Sequence, residues 1–169
     1  QNLFSTVILR AMDSKPMKTE HKHKFASVIL AAGKGVRMRS ELPKVMHTLA
    51  GKPLISHVLD TVAACASEKT VLVVAPGMES VAALARKQYP ACQTALQDKQ
   101  MGTGHAVQCT KNAVGGYADM ILVLYGDTPL VTAETLHHML DVAESADIVV
   151  LGMQMDNPTG YGRLVVDSL

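Results

Sequence analysis

The sequence predicts an α/β protein built on a mainly parallel sheet with helices on both faces. Three observations carry that prediction. Short aliphatic runs without polar alternation recur along the chain, segments of helical apolar period lie between them, and unusual loops follow two of the runs. A strand buried on both faces has no polar side to show, so it reads as continuous Val, Ile and Leu. Strands alternating with helices lie parallel and are joined by right-handed crossovers.

Taken in order, residues 1–24 come first. From Arg10 to Lys24 the chain is polar and has no clear period, so 1–24 reads as a loosely ordered extension. His21 and His23 within HKHK read as part of a solvated charged run. The apolar stretch Leu3–Leu9 is broken by Ser5 and Thr6 and ends at Arg10, which makes a poor signal peptide. From Phe25 the texture changes, and residues 25–169 read as one domain.

Phe25–Ala32 (FASVILAA) is the first strand, stopped by Gly33 and Gly35. Leu54, Ile55, Val58, Leu59, Val62 and Ala63 form one apolar stripe, with Pro53 in a favourable first-turn position. Val71–Ala75 is the second strand. Val81, Ala82, Leu84 and Ala85 belong to a shorter helix, and His105–Val114 to a third, opened by Gly102 and Thr103. Met120–Tyr125 is the next strand. Thr135, Leu136, Met139, Leu140 and Val142 mark a fourth helix, with Thr132 as N-cap and Glu134 in its first turn. Ile148–Leu151 (IVVL) is the last strand-like run.

Composition narrows the function classes. The 169 residues suit one domain, and 48% hydrophobic against 18% charged residues excludes a disordered chain. No apolar run approaches the roughly 20 residues of a bilayer-spanning helix. Aromatic residues are 4% with no Trp, which argues against a base-stacking surface for single-stranded nucleic acid. Cys65, Cys92 and Cys109 form no C-x-x-C pair, which fits free thiols in a reducing cytoplasm better than a disulfide frame or a zinc site.

The formal charge of +1 hides a pattern. Residues 1–24 carry +3, residues 33–52 carry +4, and residues 53–169 carry −6. A short basic island in an acidic body suits a small polyanion rather than duplex DNA.

In parallel α/β sheets the ligand lies outside the carboxyl ends of the strands. Two loops stand out there. Ala31–Lys44 (AAGKGVRMRSELPK) combines Gly33 and Gly35 with most of the basic island, the parts that hold phosphates. It is neither G-x-G-x-x-G, because Met38 occupies the third glycine position, nor a Walker A loop. The second loop, Tyr125–Pro129 (YGDTP), puts Asp127 just past a strand, where a carboxylate can hold Mg²⁺ against phosphates. Gln97 and Gln100 precede Gly102-Thr103-Gly104; amides and glycine backbone can read a base edge, though Gln is also common on surfaces. TGYGR at 159–163 suits a loop over a ligand or a simple turn. The histidines show no metal-ligand spacing, and no nucleophile-and-base set has motif support.

Four blocks in order carry a resemblance. They are Leu30–Pro53 (LAAGKGVRMRSELPKVMHTLAGKP), Leu96–Val107 (LQDKQMGTGHAV), Leu122–Leu130 (LVLYGDTPL) and Pro158–Leu164 (PTGYGRL). Together they resemble the N-acetylglucosamine-1-phosphate uridylyltransferases over residues 25–169. The first block alone is similar to the wider sugar-nucleotidyltransferase family. The resemblance implies a Rossmann-like, nucleotide-diphospho-sugar transferase fold and a cytoplasmic enzyme of peptidoglycan-precursor synthesis. It implies Mg²⁺-dependent transfer of UMP from UTP to N-acetylglucosamine 1-phosphate, with release of pyrophosphate. By position, it gives Leu30, Ala31, Ala32 and Gly33 to the UTP cradle, and Arg37 and Lys44 to the triphosphate and sugar phosphate. It gives Gln97, Gln100, Gly102 and Thr103 to uracil, and Tyr125, Gly126, Asp127 and Gly162 to the sugar side, with Asp127 also a Mg²⁺ ligand. Val36 stands where the family often has Thr. The resemblance further implies that more sugar contacts, a second metal ligand and a trimerising β-helix domain lie beyond Leu169, so the fold reads as C-terminally incomplete. Neither nucleic acid nor membrane is an expected partner. Another sugar- or alcohol-phosphate nucleotidyltransferase and a non-catalytic nucleotide-binding fragment remain alternative readings.

Overall fold

A computed structural model of the chain describes residues 24–33, 35, 38–116, 118–160 and 162. Its centre is a four-stranded, wholly parallel sheet. β1 (Phe25–Leu30) lies between β4 (Lys69–Val74) and β6 (Met120–Tyr125), and β5 (Gln93–Leu96) lies outside β4, giving the order β5-β4-β1-β6. The register sets Ser27 opposite Thr70 and Leu122, and Leu30 opposite Tyr125. Ala26, Val28, Ile29, Val71, Leu72 and Val73 are fully buried, so the two central strands are covered on both faces, as their continuous aliphatic sequence requires.

β2 (Thr48–Leu49) and β3 (Lys52–Pro53) form a separate small hairpin, with positive φ at both turn residues, Ala50 and Gly51. The helices between strands follow the predicted stripes. α1 (Leu54–Ala64) buries Ile55, Ser56, Val58, Leu59 and Val62, and stops where Ala66 turns to positive φ. Pro53 ends β3 and precedes α1 as its N-cap, one place before the expected first turn, and Ala63 faces outward. α2 (Glu79–Gln88) starts on an acidic residue and ends on Arg86 and Lys87, the charge order a helix dipole favours. α5 (Ala133–Ala143) is capped as predicted: the Thr135 N–H donates to Thr132 Oγ1 at 3.2 Å. α1 packs against α2 and α5, and α2 lies over β4.

Three expectations are corrected. The helix predicted over 105–114 forms as two short pieces, α3 (Thr103–Gln108) and α4 (Lys111–Val114). Between them the fully buried Thr110 donates its hydroxyl to the Val107 carbonyl at 2.7 Å, a local bond that competes with helix continuation. β6 is not buried on both faces: Leu122 and Leu124 point inward, while Ile121 and Val123 are 46% and 40% exposed. Among the described residues β6 is the last strand of its sheet, and only the face that carries Leu122 and Leu124 is covered. Ile148–Leu151 is not a strand; Val150 makes an isolated bridge and Ile148 is 81% exposed. β5 escaped the sequence reading because QTAL has one buried residue and no aliphatic run. No helix among the described residues is long and apolar enough to cross a membrane. The N-terminal extension lies outside the described residues.

Candidate nucleotide site

The parallel sheet brings the carboxyl ends of all its strands to one edge, and most of the sequence-predicted residues gather there. Leu30, Ala31 and Ala32 leave β1. The Ala31 N–H donates to Val73 O at 2.9 Å, and the Gly126 N–H, just past β6, donates to Leu30 O at 2.9 Å. These bonds continue the ladder into the loops and set the two predicted segments side by side. Gly126 sits in a tight space: a Cβ there would lie 3.1 Å from both Ile55 Cδ1 and Val45 Cγ1, so these side chains would have to give by a few tenths of an ångström. The turn that follows is closed by Thr128, whose hydroxyl donates to Tyr125 O at 2.8 Å, and it presents Asp127.

Lys44 opens a single 3-10 turn (Lys44–Met46) anchored by buried Val45. Its Nζ pairs with Asp127 Oδ2, so residues 83 apart in sequence face each other across the edge. Both side chains are partly open to solvent. Gly35 adopts φ +57, and a Cβ there would stand 2.7 Å from Lys44 Cβ. Glycine therefore lets the basic loop fold down onto Lys44. Gly33 is exposed, and Arg37 lies outside the described residues.

The third segment leaves β5. The Gln97 N–H donates to Val74 O at 2.8 Å, and the residue is only 4% exposed. Its Nε2 donates to Gly102 O at 3.0 Å and lies 3.3 Å from His105 Nδ1. Gln100 Nε2 donates to Ala32 O, which ties this segment to the β1 loop. Thr103 begins α3. His105 has no metal-ligand spacing in the sequence and lies in the first turn of α3, facing Gln97. Gly162 is exposed beyond a turn in which the Thr159 N–H and hydroxyl both donate to Asn157 Oδ1, and no described bond joins it to the other site residues.

Asp127 has the donor chemistry for Mg²⁺: a hard carboxylate oxygen, already facing a cationic group. Among the described residues no three His, Cys, Asp or Glu side chains form a metal-binding group. The fit is therefore to an ion held by one carboxylate together with substrate phosphates, the usual arrangement for Mg²⁺. Cys65 and Cys92 are buried, as expected of small hydrophobes, and burial pushes both thiols up to about 11. Cys109 is half-buried, with Sγ 3.9 Å from His105 Nε2.

The chain is similar to known proteins. Residues 27–169 match the MobA-like NTP transferase domain. "Bifunctional protein GlmU" of Parvibaculum lavamentivorans is 53% identical over 143 residues, 84% of this chain and 32% of that protein. The protein of the same name from Rhodospirillum rubrum is 47% identical over 145 residues, again 84% and 32%. The chain thus spans about a third of the length of the curated relatives it matches. A solved structure, 4-diphosphocytidyl-2C-methyl-D-erythritol synthase from Anaerococcus prevotii, superposes with a TM-score of 0.61 at 15% identity, covering 72% of this chain and 52% of that one. At that identity the likeness speaks for the fold.

Proposed function

This chain belongs to the MobA-like NTP transferase domain family, and from that premise we propose that it transfers UMP from UTP to N-acetylglucosamine 1-phosphate, with Mg²⁺, as part of a longer enzyme. The observation that carries the proposal is the meeting of three loops at one sheet edge. Leu30–Gly33, Gln97–Thr103 and Tyr125–Asp127 are joined there by Gly126 N–H to Leu30 O and by Gln100 to Ala32 O. The resemblance to uridylyltransferases supplies the substrates, and the identity to GlmU proteins supports it.

The chemistry asks little covalent work of the protein. A phosphate oxygen of the sugar phosphate attacks the α-phosphorus of UTP, the bond to the bridging oxygen breaks, and pyrophosphate leaves with that electron pair. No side-chain nucleophile or base is needed, so catalysis falls to positioning and charge neutralisation. The loop carrying Gly33 and Gly35 brings backbone N–H donors close to the triphosphate. Lys44, at the edge opposite Asp127, supplies a mobile point charge for phosphate oxygens. Arg37 would add a fork of donors in the same loop. Mg²⁺, held by Asp127, would neutralise the triphosphate charge. Tyr125 and Gly126 would contact the sugar side of the acceptor.

The test is pyrophosphate release from a panel of nucleoside triphosphates and sugar phosphates, with the chain and with longer versions that extend as far as its relatives do. UTP with N-acetylglucosamine 1-phosphate is expected to give the highest kcat/KM. A different pair leading the panel would replace this assignment with another nucleotidyltransferase, and UTP binding without release in every version would leave a binding module.

A further inference from the structure

We propose that His105 sets the base preference of this site by fixing which side of the Gln97 amide meets the nucleotide. The inference rests on the nucleotide-binding reading above and extends it to a residue that reading gives no role. A primary amide shows two N–H donors on one side and an acceptor oxygen on the other, and an unconstrained Gln exchanges them by rotation. At Gln97 the exchange is blocked. Its nitrogen lies 3.0 Å from Gly102 O and 3.3 Å from His105 Nδ1. A carbonyl oxygen only accepts, so the amide nitrogen must face Gly102. That nitrogen only donates, so His105 Nδ1 must carry the lone pair and the ring proton must sit on Nε2, towards Cys109 Sγ at 3.9 Å.

Both amide hydrogens are thereby committed. Oε1 takes no partner among the described residues, nor is it among the fully enclosed polar atoms that lack one, which are Ser27 Oγ, His47 Nε2 and Thr70 Oγ1. It is the one hydrogen-bonding atom of this side chain left for a ligand. An acceptor held in place distinguishes pyrimidines at position 3. Uracil offers an N3–H donor, whereas cytosine offers a bare lone pair, so cytosine sets two acceptors against each other and leaves both unsatisfied. His105 does not touch the base in this scheme. It is a positioning residue that acts through Gln97.

The experiment measures UTP and CTP affinity of the full chain in Mg²⁺ by equilibrium dialysis. The proteins are wild type, His105→Ala, His105→Phe and His105→Asn. Wild type is expected to prefer UTP. His105→Ala and His105→Phe remove the acceptor, the second while keeping ring volume. Each should lower the UTP-to-CTP ratio by about fivefold, the scale of one neutral hydrogen bond. The loss should come from weaker UTP binding, with CTP affinity held, because the phosphate contacts are unchanged. His105→Asn returns an acceptor oxygen at the δ position and should restore the ratio, which a merely structural role would not explain. A wild-type ratio in both His105→Ala and His105→Phe, or equal loss of both nucleotides, overturns the role of His105 alone. Absence of a UTP preference in wild type overturns it together with the uridylyl reading.

Discussion

Asp127 and Lys44 show how much of this site is decided by single side chains. Each is a flexible charged group at the rim, and the turn closed by Thr128 aims the carboxylate at the lysine. Asp127→Asn keeps the shape and removes the charge, and a neutral amide is a weaker ligand for a hard cation. We expect Mn²⁺ binding in the presence of UTP to be lost while the circular dichroism spectrum and denaturation midpoint stay at wild-type values; retained Mn²⁺ affinity, read by electron paramagnetic resonance, would remove Asp127 from the metal site. The buried thiols give a pH prediction. Cys65 and Cys92 ionise at about 11 in the fold, against an ordinary value of 9.0, because burial disfavours the thiolate. The unfolded chain releases these protons first as pH rises, so their contribution is fully present below pH 9 and is lost between about 9 and 11. Urea denaturation should show stability falling across that window, and Cys65→Ala with Cys92→Ala should flatten the fall.

At the scale of elements, the local signal and the packed result agree where a strand is covered on both faces or a helix along one stripe. β1, β4, α1, α2 and α5 appear where period and caps predict them. They part company at β6. Its sequence, MILVLY, is as aliphatic as β1, yet the face that carries Ile121 and Val123 is open. Leu124→Ala should therefore cost about 2–5 kcal/mol, the range for a buried leucine. Val123→Thr, on the open face of the same strand, should change stability by no more than about 0.5 kcal/mol, as at other surface positions. Equal losses in the two variants by chemical denaturation would show that β6 is covered on both sides. An open groove of about 250 Å³ lies between β6, Leu136 and Met139 of α5, and residues 149–151. Exposed Leu130 and Ile148 flank it in sequence.

Across the whole molecule, charge and topology work together. The +4 island of residues 33–52 follows β1 in the chain, with Lys44 opposite Asp127, while residues 53–169 carry −6. A polyanion is drawn to that stretch rather than to the acidic residues 53–169. Raising salt from 0.05 to 0.5 M should weaken UTP binding markedly and uridine binding little, because solvent-exposed charges are screened beyond roughly 10 Å at 0.1 M. Equal salt dependence for the two would show that the island does not hold the phosphates. The candidate site was legible in outline. Gly33, Gly35, Lys44 and Asp127 stand out by residue type and by their place after strands, while the partner of Gln97 did not, since a histidine eight residues on carries no sign of which ring nitrogen it will offer or to whom.

The sequence by itself determined the α/β class, the central strands, the main helices and the two loops of the candidate site. These depend on local facts: burial on both faces leaves an unbroken aliphatic run, an amphipathic helix leaves a stripe, and phosphate loops need glycine beside cations. Only the tertiary structure decided that β1 would be central, that the polar β5 would join the sheet, and that β6 would keep an open face. It alone paired Lys44 with Asp127 and turned the Gln97 amide inward. Each of these depends on which distant segment becomes a neighbour, and the order of strands across a sheet is set by packing between segments that no local window of sequence contains.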